Sequence, residues 1–147
     1  MKRLRPAVPV VAAVVLLVAA ATAWSLTTYR TTTTILAAQT TVPNGEEGET
    51  RVVPAVQGTV KSSHGACWKN RTVYGSYTNA ETHAKANLQT MKSAANGSWK
   101  APLIGIPPPT PEKPVVKVEV EVRITAKSLG ARAICGAKIE KKTIEFK

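Results

Sequence analysis

Two cysteines, Cys67 and Cys135, and two histidines, His64 and His83, are the residues of this 147-residue chain with the widest chemical repertoire. In an oxidising compartment an even cysteine count points to a disulfide, and two cysteines allow one intramolecular pairing. Closing the loop between Cys67 and Cys135 contributes about 4 kcal/mol on the chain-entropy model, a large share of the stability of a small domain. The same residues offer a second chemistry. His64-Gly65-Ala66-Cys67 has the two-residue gap of a metal knuckle, and His83 and Cys135 would complete a Cys2His2 set for zinc. The second pair lacks knuckle spacing, so the Cys67–Cys135 disulfide is the expectation and no metal site is assigned.

Catalytic constellations are scarce. The chain has no aspartate and its nine acids are all glutamates, which excludes an Asp-supported serine triad and an aspartic dyad. No glutamate stands in an apolar context that would raise its pKa, and Glu119 and Glu121 alternate with valines on the charged side of a strand pattern. GxGxxG, P-loop, HExxH and EF-hand patterns are absent. The expectation is a non-enzymatic protein without a cofactor.

Charge points to binding instead. Twenty Lys and Arg against nine Glu give a net charge of +11, which favours anionic partners without specifying an activity. Lys138, Lys141, Lys142 and Lys147 form a basic C-terminal cluster, and Trp68, Tyr74 and Tyr77 have faces on which bases could stack. Glu119, Glu121, Glu140 and Glu145 interleave with those lysines, a pattern that suits cross-strand ion pairing on a solvated sheet, so a weak, salt-dependent association with nucleic acid or acidic glycans is the expected extent. Asn70 and Asn96 head Asn-x-Ser/Thr sequons and are candidate glycosylation sites.

These residues need a scaffold and an address. Ala7 to Leu26 is an apolar run of 20 residues, preceded by Lys2, Arg3 and Arg5 and containing only Thr22 and Ser25 as polar residues. At about 1.5 Å per residue it is just long enough to span a hydrocarbon core of about 30 Å. The cations before it predict an N-terminus inside and the rest translocated, with Trp24 and Tyr29 in the outer interfacial belt. Ala21-Thr22-Ala23 equally satisfies a signal-peptidase rule, so residues 1–26 are read as a signal peptide cleaved after Ala23 or as a retained signal anchor. Either way the protein is membrane-anchored with its domain outside, or secreted. Beyond the membrane itself, the expected partners are envelope proteins or further copies of the chain.

The remainder reads as a Thr-rich, acidic linker over 27–50 and a β-rich domain over 51–147. Thr31 to Ala38 is a strand, a solvated stalk or an O-glycosylated segment. Arg51 to Lys61 alternates like a strand, and Pro54 and Gly58 assign it to a sheet edge. Trp68 to Tyr77 is a second strand, with Trp68 placed to pack against the bridge. Thr78-Asn79-Ala80-Glu81 fits a capping box, and Ala80, Ala84, Leu88, Met91 and Ala95 form an apolar stripe, predicting one short helix ended by Asn96-Gly97. Ala101 to Pro114 is an extended proline-rich connector. Val115 to Lys127 alternates perfectly, and a tight Leu129-Gly130 turn would pair Ile124 with Cys135 and Val120 with Ile139, a final short strand following at Ile144 and Phe146. The fold class expected is mostly β, a small antiparallel sheet or sandwich with one short helix, preceded by a transmembrane or signal helix.

Pro9-Val10-Val11-Ala12-Ala13-Val14-Val15-Leu16-Leu17, after a basic start and before a Thr-rich β region, resembles the archaeal type IV pilin-like proteins. That resemblance implies an N-terminal helix that packs into a filament core and a β-sandwich head. The leading functional expectation is an exported cell-envelope or surface protein with a structural or interaction role. A pilin-like filament subunit and a basic module for anionic polymers are the alternatives.

Overall fold

The computed structural model describes residues 25–147, so the helix expected over the apolar run lies outside the described residues. No helix among the described residues is long and apolar enough to cross a membrane. Among the described residues the chain is mostly β, and the helical content there is one 3-10 turn, Gly65–Cys67.

One sheet is built around β4 (Thr50–Ser62). It pairs along one side with β2 (Thr31–Thr33) and β3 (Leu36–Pro43), and along the other with β8 (Ser98–Pro102), every ladder antiparallel. The second sheet runs in the order β12 (Lys138–Phe146), β9 (Val116–Ile124), β5 (Thr72–Asn79) and β6 (Lys85–Asn87), with β7 (Met91–Lys92) also on β5. Val56, Val60, Trp99, Ala101 and Leu103 from the first side and Val73, Tyr77, Val118, Val120, Val122 and Ile124 from the second merge into one core. A small third sheet adds β1 (Thr27–Tyr29) parallel to β11 (Ala133–Cys135), which pairs with β10 (Lys127–Ser128).

The segment expected as linker therefore contributes β1, β2 and β3, leaving the acidic turn around Gly45 and Gly48 as its irregular part. The edge assignment of Arg51 to Lys61 is also corrected, since β4 has neighbours on both sides. Both supposed breakers are accommodated. Pro54 lies one rung beyond the last β8 pair, where Leu103 N donates to its carbonyl and no N–H is needed from it. Gly58 sits opposite Trp99, and a Cβ there would stand 1.9 Å from Thr34 O and 2.5 Å from the indole ring. The indole covers the bare backbone and donates Nε1–H to Thr33 Oγ1 at 3.1 Å.

The predicted helix is absent, and its segment forms β6 and β7. Asn79, not Thr78, controls the turn. Its Oδ1 accepts from Glu81 N and Thr82 N, and His83 follows with φ +59°, which no helix continues. Three of the five residues in the apolar stripe are alanines, so a helix would have buried little, and Ala84 and Ala95 are in fact exposed. Pairing with β5 satisfies backbone groups on both strands and still drives Leu88 into the core.

Val116–Ile124 is a strand with one buried and one charged face, as its alternation predicts. Its partner register differs from expectation. Ile124 faces Lys138, Val118 faces Ile144 and Val116 faces Phe146. Ile144 and Phe146 belong to the same long strand as Lys138 and set its alignment. Burying two large side chains stabilises by roughly 1.5–3 kcal/mol each, more than is lost by leaving Ile139 about half exposed. Lys138, Glu140 and Lys142 consequently occupy the inward row of this edge strand. Lys138 and Glu140 pair at 3.2 Å, and Lys142 reaches over the rim to donate to Ile35 O at 3.1 Å.

Candidate functional site

Cys67 and Cys135 form the expected disulfide. Cys67 ends the 3-10 turn and Cys135 ends β11, their Cα atoms are 5.3 Å apart, and both residues are completely buried. As disulfide sulfurs they are not thiolate ligands. His83 lies in the β5–β6 turn at the opposite end of the second sheet. His64 uses Nδ1 to accept from Ala66 N at 3.2 Å, and its ring meets that of Tyr29 at 4.6 Å. Among the described residues no group of three or more His, Cys, Asp or Glu is placed to hold a metal ion.

Arg71, singled out by nothing in the sequence beyond its place inside a sequon, organises this end of the molecule. It is 1% exposed. Its Nη1 donates to Cys67 O and to Thr31 Oγ1 at 3.1 Å, and its Nη2 donates to Thr125 O at 2.6 Å and Gly136 O at 2.8 Å. The β9–β12 ladder stops at Ile124–Lys138 and the β10–β11 ladder resumes at Lys127–Cys135. The guanidinium occupies the gap between them and binds the carbonyls that a continuous ladder would have used. Arg71 N further donates to Ser93 Oγ, which donates to Trp68 O at 2.6 Å. Among the described residues no carboxylate pairs with Arg71, and Nε is buried without a partner. Burial lowers the pKa of the guanidinium, whose ordinary value is so high that it stays charged. Four carbonyl and hydroxyl dipoles stand in for a counter-ion.

The outer face of the second sheet carries the interleaved charges. Across β9 and β12, Lys117 pairs with Glu145 at 3.2 Å and Lys141 with Glu121 at 3.0 Å, while Arg123 Nε donates to Glu121 at 2.7 Å. The cross-strand pairing expected from the sequence is present there. A shallow depression of about 420 Å³ lies beside it, lined among others by Ser76, Thr78, Lys85, Glu119 and Lys141. The hydrogen bond from Arg123, followed by that from Lys141, holds the Glu121 carboxyl below the usual carboxylate range. A group depressed in the folded state contributes stability above its unfolded pKa, and that contribution disappears as pH falls through the folded value. Acid denaturation followed by tryptophan fluorescence is therefore expected to show a loss of stability below the ordinary glutamate range that Glu121→Gln removes. An identical acid profile for the two proteins would contradict the assignment.

The aromatic residues do not converge. Tyr77 is buried and donates its hydroxyl to Ile104 O, Tyr74 lies on the outer charged face, and Trp68 packs half-buried against the core. Burial raises the Tyr77 pKa, opposed by that hydrogen bond. Lys138, Lys141 and Lys147 each pair with a glutamate, so the C-terminal lysines do not form a free basic cluster. Asn70 is exposed with φ +54°, and Asn96 is exposed in the turn before β8, its Oδ1 accepting from Ser98 N at 3.0 Å. In comparisons with protein-family models, curated proteins and solved structures, nothing matches the chain.

Proposed function

We propose that this protein is a non-catalytic, exported cell-envelope domain with a structural or interaction role, held at the membrane by its N-terminal apolar run or released from it by cleavage after Ala23. The observation that carries the reading is the buried Cys67–Cys135 disulfide, because a covalent link so central to the packing belongs in an oxidising compartment. The apolar run Ala7 to Leu26, immediately before β1, supplies the route out of the cytoplasm. The charged side chains of the second sheet mostly satisfy one another, which suits a solvated surface more than a reaction centre.

The test is made on the full chain expressed in cells. Thiols are blocked at lysis, the protein is run without reductant, and intact cells are treated with protease. A single oxidised species accessible from outside is expected, and N-terminal sequencing then reads Met1 for the anchor or Trp24 for the secreted form. Recovery from the cytoplasm with two alkylated cysteines would overturn the proposal.

A further inference from the structure

We infer that the disulfide-bearing end of the domain is a membrane-contacting surface that docks on anionic phospholipid headgroups. The inference rests on the export reading above, in its retained-anchor form.

Four segments meet at that end, 25–32, 61–72, 91–97 and 125–138. They are brought together by the pairs Thr31–Ser62, Thr72–Lys92, Lys127–Cys135 and Thr27–Ala133 and by the disulfide. The four contain eight Lys and Arg residues and no Glu. Arg71 is inside and Lys138 is paired with Glu140, and the outward charges include Arg30, Lys61, Lys69, Lys92 and Lys127. Lys127 Nζ donates to Ala66 O at 3.1 Å and Lys69 O at 3.3 Å, and Lys92 Nζ to Thr72 Oγ1 at 2.6 Å. These contacts fix the ammonium groups without neutralising them. The glutamates lie elsewhere. Glu46, Glu47 and Glu49 crowd the β3–β4 turn at the opposite end, with Glu81 and Glu112 in other loops there.

The partner follows from chain length. Leu26 closes the apolar run and Thr27 opens β1, with no residue between them, and Thr27 N donates to Arg132 O at 2.8 Å. A residue of extended chain spans at most about 3.6 Å, so a leader that ends in the interface holds this cationic end against the headgroups. Anionic lipid is then present at very high effective concentration, whereas a soluble polymer must arrive from solution. Leu26, more than half exposed, adds an apolar contact at the same point. Tyr29 is engaged by His64 and Trp68 by the core, so among the described residues this end offers no free aromatic face of the kind that would favour single-stranded nucleic acid.

The experiment reconstitutes the full chain into vesicles of phosphatidylcholine alone or mixed with phosphatidylglycerol, confirms flotation, and maps lysine acetylation by mass spectrometry. Lys61, Lys69 and Lys92 are expected to lose reactivity several-fold in the anionic vesicles only and to regain it in high salt, while Lys85 and Lys113 at the far end stay unchanged. Lys61→Gln with Lys69→Gln should weaken the protection of Lys92, by about fivefold for each cation removed. Equal labelling in both vesicles, with the chain floating on each, would overturn the docking and leave the anchor reading intact. A chain that floats with neither overturns both. Stronger protection from duplex DNA or sulfated dextran added to neutral vesicles would reassign the surface to a polymer.

Discussion

Arg71→Met is expected to lower the stability of the domain by about 3–5 kcal/mol, as a fall in the denaturation midpoint with an unchanged slope. The apolar replacement would leave the carbonyls of Cys67, Thr125 and Gly136 in a dry interior without donors, and a buried acceptor that loses its partner costs about 1–3 kcal/mol. Since small domains have about 5–15 kcal/mol in total, this one change brings the fold near its limit. Arg71→Lys separates charge from geometry. A lysine keeps the cation and does not bury an unpartnered Nε, but a single ammonium cannot span two separate pairs of acceptors. It should retain the fold with an intermediate midpoint. A lysine variant as stable as the parent would show that positive charge alone suffices, contrary to the bridging role given to the guanidinium here.

The second large effect belongs to the disulfide. Cys67→Ala combined with Cys135→Ala should cost about 4 kcal/mol, since the cysteines are separated by 68 residues and the cross-link removes much freedom from the unfolded chain. The measurement is again equilibrium unfolding, with the oxidised parent as reference. A midpoint within about 1 kcal/mol of the parent would mean that the cross-link is incidental to the fold. The two effects share one neighbourhood, because Arg71 binds the carbonyl of Cys67 and that of the residue after Cys135. Removing both features is therefore expected to cost less than the sum of the separate losses.

What was legible in the sequence had a period or a unique partner. The alternation from Val116 to Ile124 marks a strand because side chains on a pleated chain take opposite faces. Two cysteines leave one intramolecular pairing to draw, and it is the pairing found. What misled was local pattern without tertiary weight. The capping signature at Thr78 to Glu81 is real as a string, yet Asn79 captures the same N–H groups in a turn, and a stripe made mainly of alanines offers a helix little burial. Pro54 and Gly58 read as marks of an edge because the ladder position that spares the proline and the indole that covers the glycine belong to β8, some forty residues on. The β9–β12 register depended on Ile144 and Phe146 outweighing Ile139, a comparison of burial that a tight-turn rule does not contain. Arg71 was invisible for a similar reason. Its acceptors are three backbone carbonyls and one threonine hydroxyl from four places in the chain, and backbone leaves no sequence mark.

The strands also set a mechanical polarity. Thr27 and Phe146 lie at opposite ends of the β-rich domain, and the strands between run lengthwise from one end to the other. Tension applied between those two points pulls along the strands, so the rungs joining β2 and β3 to β4 are strained together in shear instead of opening one after another like a zipper. Should they give way, the cross-linked loop still cannot be drawn out, and nearly half of the polypeptide stays short under load.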